Sequence, residues 1–563
     1  MDAGIVLAIA LIVRSVVCCR LHHINSDEFF YTVIARDVYR IWIHQLQTTV
    51  HAMDTLHPGG VPMVLAVVFL ITGKPLIVVG QHFNVVLSCF IVASTYWMVR
   101  EAVGNRWIAV TAAVLMAFVP AAVRDADRAY ADNQATLLVT IAMAAAFRSW
   151  RTGRILPWIL ACVALGAAFL TKEYLLVLSA PALAIGSLMN VRRHRWTYLP
   201  TLLLILAVAL VGIWFLQFKS MLLPQASYLL NEIHGERQDY VGRSAPSLHK
   251  LMAQHLSEGD IPYVFLALAV LGFIVLLLSL RKPVSVAPEG ATNSNPGAVV
   301  AMILLPLTFC LFFSMFRNLW GARLVFPSFP AICAASATGL LATGSIPGLI
   351  GLLGVEVLTF YWLRTRTGLW PHYLQAVYGI PLIALAFHTV RLLLPRMKQV
   401  ANLRRGFSYA GLGILLLALA APGISRIRFD LKVQAAKYIP NGPQFGMFKA
   451  ADWIKANIKP DDHVLACNPR QMAYLQQSTY AHLVRSAWWD SATKYAEPAR
   501  LAKLKVKWVL INLPETKQYR ANQLYQDFKR RTDMREAYSL FNKGGVVLAF
   551  FEVLPHPPPS NSP

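Results

Sequence analysis

Two adjacent carboxylates, Asp27 and Glu28, open the stretch Ser26-Asp27-Glu28-Phe29-Phe30-Tyr31-Thr32-Val33-Ile34-Ala35-Arg36, just past the first apolar segment. An ionised carboxylate can take the proton of an attacking hydroxyl, and a second one beside it can orient the attacking group or hold a cation. The same pair also suits an ordinary helix start, where negative charge meets the positive end of the helix dipole. A charge at the centre of a lipid-facing helix costs about 2.5 to 3.5 kcal/mol on insertion scales, so an acidic pair in an apolar chain belongs at a membrane surface or in a water-filled cavity.

Further along, Arg124-Asp125-Ala126-Asp127-Arg128 is followed by Ala129-Tyr130-Ala131-Asp132 at the start of an apolar run. Asp132 can cap that run, or serve as a second carboxylate facing Asp27. Lys172-Glu173 forms a tight charged turn between two apolar runs; its lysine can reach an anionic headgroup. Arg317 and Arg323 lie in the short loop between two further apolar runs, with Arg323 opening Arg323-Leu324-Val325-Phe326-Pro327-Ser328-Phe329-Pro330. An arginine there can snorkel from a helix end or bind phosphate. His57-Pro58 reads as a helix-breaking turn or as part of a cavity loop.

What must position these residues follows from composition. The 563 residues are 56% hydrophobic and 14% charged, with mean hydropathy +0.50, and the apolar runs reach bilayer length. That is a polytopic α-helical membrane protein. The 52 Lys and Arg against 28 Asp and Glu give a net charge of +24. These bases are spread over loops, with no compact basic and aromatic module, so membrane topology and anionic lipid explain them and nucleic acid does not. Of seven cysteines, only Cys467 lies in a polar stretch, so neither a disulfide framework nor a zinc site follows. The first apolar stretch lacks a basic leader and a small-residue cleavage site, and reads as a signal anchor.

About 13 spans are expected, at 3 to 19, 76 to 99, 107 to 123, 132 to 147, 155 to 171, 174 to 190, 198 to 216, 262 to 280, 298 to 316, 324 to 342, 345 to 363, 373 to 394 and 407 to 424. The piece from 61 to 72 is too short to span and reads as interfacial. The two alternating sets of loops carry equal numbers of Lys and Arg. One set packs them into tight clusters such as Arg192-Arg193-His194-Arg195, which places that set in the cytoplasm. The acidic pair, Arg124 to Arg128, Lys172-Glu173, the 217 to 261 loop, Arg317 to Arg323 and the tail then share the outer face.

The division expected is a transmembrane unit over 1–425, a small α/β extracytoplasmic domain over 426–555 and a disordered Pro-rich end over 556–563. In the tail, Met447 to Asn457 and Leu524 to Arg531 read as helices. Val464 to Ala466, Val506 to Asn512 and Gly545 to Val553 read as strands. Gln225 to Gly242 is a polar loop long enough to cover a cavity, and Pro283 to Gly297 reads as a linker.

In this order, these stretches resemble the GT-C superfamily of polytopic glycosyltransferases that use polyprenyl-phosphate sugars. The bacterial branch related to protein O-mannosyltransferases and lipid A aminoarabinose transferases is the most similar. Asp27-Glu28 with Tyr31 and Ala35-Arg36 is similar to that family's first-loop signature, His57-Pro58 to a loop motif that usually has two prolines, and Arg128 to Asp132 to an Arg-x-x-x-Asp element. Leu170 to Glu173 resembles a short lysine loop, and Arg323 to Pro330 an Arg-x-x-x-Pro-x-x-Pro segment. Gly59 stands where the second proline is usual.

The resemblance implies an inverting transfer of sugar from a polyprenyl-phosphate donor to a hydroxyl of a protein, lipid A or glycan acceptor. A departing phosphate needs its growing charge met by fixed cations, for which Lys172, Arg323, Arg128 and Arg317 are the candidates. Asp27 is the candidate base, with Glu28 or Asp132 positioning the acceptor; His57, Tyr31, Arg36 and Glu173 line the cavity and its loops. No residue spacing specifies a divalent metal, so a metal cofactor stays open. A bacterial inner (plasma) membrane with the site and tail outside is the expected location, in keeping with the lack of an Asn-x-Ser/Thr sequon. A multi-span transporter or flippase is the alternative; acids at the interface instead of mid-span, and no evident internal repeat, count against it.

Overall fold

The structure is a computed structural model that describes residues 2–15, 26–45, 60–129, 131–172, 174–190, 263–280, 295–315, 326–342, 449–459, 462–466, 479–483, 496–503, 505–511, 518–542 and 544–554. The expected spans at 198 to 216, 345 to 363, 373 to 394 and 407 to 424 lie outside the described residues, as does the loop from 217 to 261.

The described part is mostly helical. Helices run over Asp2–Ser15 (α1), Ser26–Trp42 (α2), Gly60–Thr72 (α3), Ile77–Val103 (α4), Arg106–Phe118 (α5), Pro120–Arg124 (α6), Ala131–Thr152 (α7), Ile155–Thr171 (α8) and Tyr174–Asn190 (α9). Tyr263–Ser279 (α10), Pro296–Met315 (α11) and, after a 3-10 turn at Phe326–Ser328, Phe329–Ala342 (α12) follow. Among the described helices, α4 alone has the length and hydropathy to cross a bilayer unaided.

One reading is extended and two expectations change. The stretch carrying Asp27-Glu28 is a helix, because Tyr31, Ile34, Ala35 and Val38 recur at helical spacing and bury one face against Val61, Leu65 and Phe69 of α3. The expected span 107 to 123 is broken at Val119-Pro120: Pro120 pushes Val119 to extended backbone (φ −59°, ψ 119°) and starts α6 at its own first position. The linker read to Gly297 stops short of Pro296, where α11 begins with the Asn295 side chain accepting the Ala298 N–H.

α4 and α7 run parallel. Glu28 ties Gln81 to Ala129 at one end of this pair, and Glu101 meets Arg148 and Arg151 at the other. The two glycines of the α10–α12 crossing allow backbone contact. A Cβ on Gly272 would lie 1.8 Å from the Ala335 carbonyl oxygen, and one on Gly339 would lie 2.1 Å from that of Leu268. Such small-residue seams replace the hydrophobic drive that helices lack in lipid.

The C-terminal residues form Ala451–Asn457 (α13), His463–Ala466 (β1), Thr479–Leu483 (β2), Pro498–Lys503 (α14), Val506–Ile511 (β3), Gln518–Lys529 (α15), Met534–Asn542 (β4) and Gly545–Val553 (β5). The sheet order is β2-β1-β3-β5-β4. β1 pairs in parallel with β2 and β3, while β5 pairs antiparallel with β3 and β4. One face is filled by Leu524, Tyr525 and Phe528 of α15 against Val509 and Phe551. The other carries Ile454 and Ile458 against Val464, Leu510 and Phe550, and this cluster takes in Val33 of α2 and Ile77 of α4. The sheet thus rests on the helix that carries Asp27-Glu28.

Candidate active site

Five helix ends meet where the sequence placed its chemistry. Glu28, in the first turn of α2, is fully buried. Its Oε1 accepts hydrogen bonds from Gln81 Nε2 at 3.1 Å and from the Ala129 N–H at 3.3 Å. Its backbone carbonyl accepts the Thr32 hydroxyl at 2.7 Å. A buried carboxylate needs such donors, since burying an ionised group without them is costly.

Asp132 stands one residue inside α7, so it does not cap that helix. Its Oδ1 accepts a 2.5 Å hydrogen bond from Lys172 Nζ, an ion pair whose side chains are 5% and 4% exposed. Lys172 closes α8 and donates its own N–H to Ala168 O at 2.9 Å. The lysine is therefore no loose charged turn but is folded onto the carboxylate 40 residues before it.

Gly60 sets the approach of α3 to this corner: a Cβ there would lie 2.4 Å from the Leu170 carbonyl oxygen, two residues before Lys172. Only glycine permits that contact. It lies directly after the His57-Pro58-Gly59 stretch.

Between α6 and α7 the turn is laced by charge. Asp125 faces Arg124 at 3.2 Å and Arg128 at 3.4 Å, while Asn133 Nδ2 donates to the Asp125 carbonyl at 2.9 Å. Asp127 is also buried. This turn delivers the Ala129 N–H to Glu28 and, three residues later, Asp132 to Lys172.

Of the residues expected from sequence, Asp132 and Lys172 thus pair directly, Glu28 is tied to the turn before Asp132 through the Ala129 N–H, and Arg128 lies in that turn against Asp125. Tyr31 is buried in the contact between α2 and α3, and Arg36 is half-buried on α2. Asp27 lies in the first turn of α2, with its side chain outside the described part; His57, Glu173, Arg317 and Arg323 lie outside the described residues. Sequence reasoning missed Gln81, although Gln81, Asn84 and Ser88 form a buried polar stripe at helical spacing within an apolar helix. It also missed Arg14, which is fully buried in the first expected span. Among the described residues no three His, Cys, Asp or Glu side chains come together as a metal site.

The helical bundle, with the Glu28 and Asp132–Lys172 contacts at one end, and the small sheet are similar in fold to the polytopic GT-C membrane enzymes. The resemblance drawn from the sequence holds in three dimensions. ArnT from Cupriavidus metallidurans bound to undecaprenyl phosphate superposes with a TM-score of 0.61 at 15% identity, over 97% of each chain. Its apo state gives 0.59, again at 15% identity over 97% of each. The archaeal oligosaccharyltransferase AglB from Archaeoglobus fulgidus, in complex with an inhibitory peptide and a dolichol-phosphate, gives 0.53 at 13% identity, over 98% of this chain and 74% of that one. By sequence, residues 56–214 match the family described as dolichyl-phosphate-mannose-protein mannosyltransferase. No curated protein matches the chain by sequence search.

Proposed function

We propose that the chain is an integral-membrane, inverting glycosyltransferase of about thirteen spans that moves a sugar from a polyprenyl-phosphate donor to an acceptor hydroxyl. The reading rests on one observation above all: a buried acid held by Gln81 and the Ala129 N–H, and a buried Asp132–Lys172 pair, at one end of a GT-C bundle. The co-structures of the similar proteins, with undecaprenyl phosphate and with dolichol-phosphate, support a lipid-phosphate donor for this chain.

In this mechanism the acceptor hydroxyl attacks the anomeric carbon from the face opposite the phosphate, inverting configuration as the C–O bond to phosphate breaks. Asp27 takes the hydroxyl proton late in the transition state. Glu28, kept in place by Gln81 and the Ala129 N–H, orients the acceptor together with Asp132. Lys172 and Arg128, with Arg317 and Arg323, meet the charge growing on the leaving phosphate. Partners are the lipid-linked sugar, membrane lipids and a protein, lipid A or glycan acceptor. The site and the C-terminal sheet face outward from a bacterial inner membrane, and that sheet forms a domain over 426–555 beside the catalytic unit of 1–425.

The test is transfer from a panel of undecaprenyl-phosphate sugars by the full-length protein in lipid vesicles. Asp27→Asn should lose about 100-fold or more in rate while binding donor as wild type does. Near wild-type transfer by this variant would remove Asp27 as base; no transfer by wild type from any donor would remove the transferase reading.

A further inference from the structure

Arg14 sits in the middle of the bundle, far in sequence from everything it touches. It is fully buried. Its Nε donates to Ser88 Oγ on α4 at 2.9 Å, one guanidinium NH2 group donates to the Ala117 carbonyl at 2.6 Å, and the other reaches the Met116 carbonyl at 3.4 Å. Those two carbonyls belong to the last turn of α5. Had the helix continued, the N–H of residue 120 would have served Met116, but residue 120 is a proline and has none. The guanidinium supplies that donor to Met116 and one to Ala117, whose helical partner would have been the Ala121 N–H, and a cation at a helix C-terminus also meets the negative end of its dipole.

We propose that Arg14 is a positioning residue for the candidate active site, an inference that rests on the transferase reading. By giving Met116 the donor that Pro120 lacks, and Ala117 the donor that the break takes from it, it holds the break between α5 and α6. The break aims the short α6 so that the following turn presents the Ala129 N–H to Glu28 and Asp132 to Lys172. The bond to Ser88 fixes this arrangement to α4, whose Gln81 lies on the same polar stripe and holds Glu28 as well. One buried cation therefore joins the Gln81 and Ala129 supports of the carboxylate.

The experiment compares wild type, Arg14→Met, Pro120→Ala and the double variant as full-length proteins in lipid. Thermal unfolding, sugar transfer and hydrogen–deuterium exchange of 119–133 are followed. Arg14→Met should melt earlier, exchange the 119–133 amides faster and transfer sugar about tenfold or more slowly, because two buried carbonyls lose their donor. Pro120→Ala in the Arg14→Met background should restore the melting temperature, since residue 120 then has an N–H to give, yet leave transfer low, because the continuous helix re-aims the turn.

Recovery of transfer along with stability in the double variant would overturn the proposal, leaving Arg14 as a mere brace of the bundle. Wild-type exchange over 119–133 in Arg14→Met would overturn it too. If wild type itself transfers no sugar, the transferase reading fails on its own; the exchange and melting measurements still decide whether Arg14 holds the turn.

Discussion

The two ends of the α4–α7 pair handle charge in opposite ways. At one end, Glu101 is buried but its partners are half in water: Arg148 and Arg151 approach it at 3.4 and 2.8 Å with side chains 46% and 39% exposed. At the other, Asp132 and Lys172 are both almost wholly buried, and Glu28 beside them is reached by an amide and a backbone N–H. Exposed pairs contribute little, about 0.2 to 1 kcal/mol, whereas removing one partner of a buried pair costs about 3 to 5 kcal/mol. Replacing such a buried pair by apolar side chains is often neutral, so its retention points to a use other than stability. The difference separates the end proposed to hold the site, where both partners of the pair are buried, from the end where the arginines stay half in water.

The sharpest way to break this contrast is Asp132→Ala, which strands the Lys172 ammonium and should destabilise by about 3 to 5 kcal/mol in denaturant unfolding in detergent. Joining Asp132→Leu to Lys172→Met should return most of that stability without returning transfer; a double variant that transfers normally would reduce the pair to packing. Next, Gln81→Leu takes away the donor that Glu28 meets at 3.1 Å, and about 1.5 to 3 kcal/mol of stability should go with it, read in the same unfolding experiment. Arg151→Ala at the opposite end should cost about 1 kcal/mol or less and fade further with added salt, leaving transfer intact.

The smallest effect lies in the sheet. Burial pushes the Asp462 carboxyl up, but hydrogen bonds from the Lys459 N–H, the Trp508 indole and Lys507 outweigh it and hold the group below the usual carboxylate range. A depressed carboxyl stabilises the fold above its unfolded value and loses that contribution as pH falls through its folded one. The acid side of the melting curve should therefore flatten in Asp462→Asn, with no change near neutral pH beyond a constant offset.

Most helices were legible because apolar runs of that length leave few alternatives, and α3, α8 and α9 lie within a residue or two of where hydropathy puts them. For α2 only the helix start at Asp27-Glu28 was readable, since its charges masked the spacing of Tyr31, Ile34, Ala35 and Val38. The α5 break was missed because Pro120 sits in an otherwise continuous apolar run. In the tail, β1, β3 and β5 were readable as apolar strands. β4 was not, because its Met534–Asn542 stretch is mostly half-exposed and lacks clean alternation, and β2 is a short edge strand. For the site, Asp132 and Lys172 could be nominated from type and place between runs. That they pair with each other, and that Gln81 and Ala129 hold Glu28, depends on contacts between residues 40 to 101 positions apart, which no local pattern encodes.

The crossing of α10 and α12 has a mechanical consequence. Gly272 rests against the Ala335 carbonyl and Gly339 against that of Leu268, so each glycine is the notch for the other helix. A shift of one turn along the axis would bring Leu268 or Leu276 where only a hydrogen fits. The two helices can pivot a little about this point but cannot slide, so the pair moves as one strut.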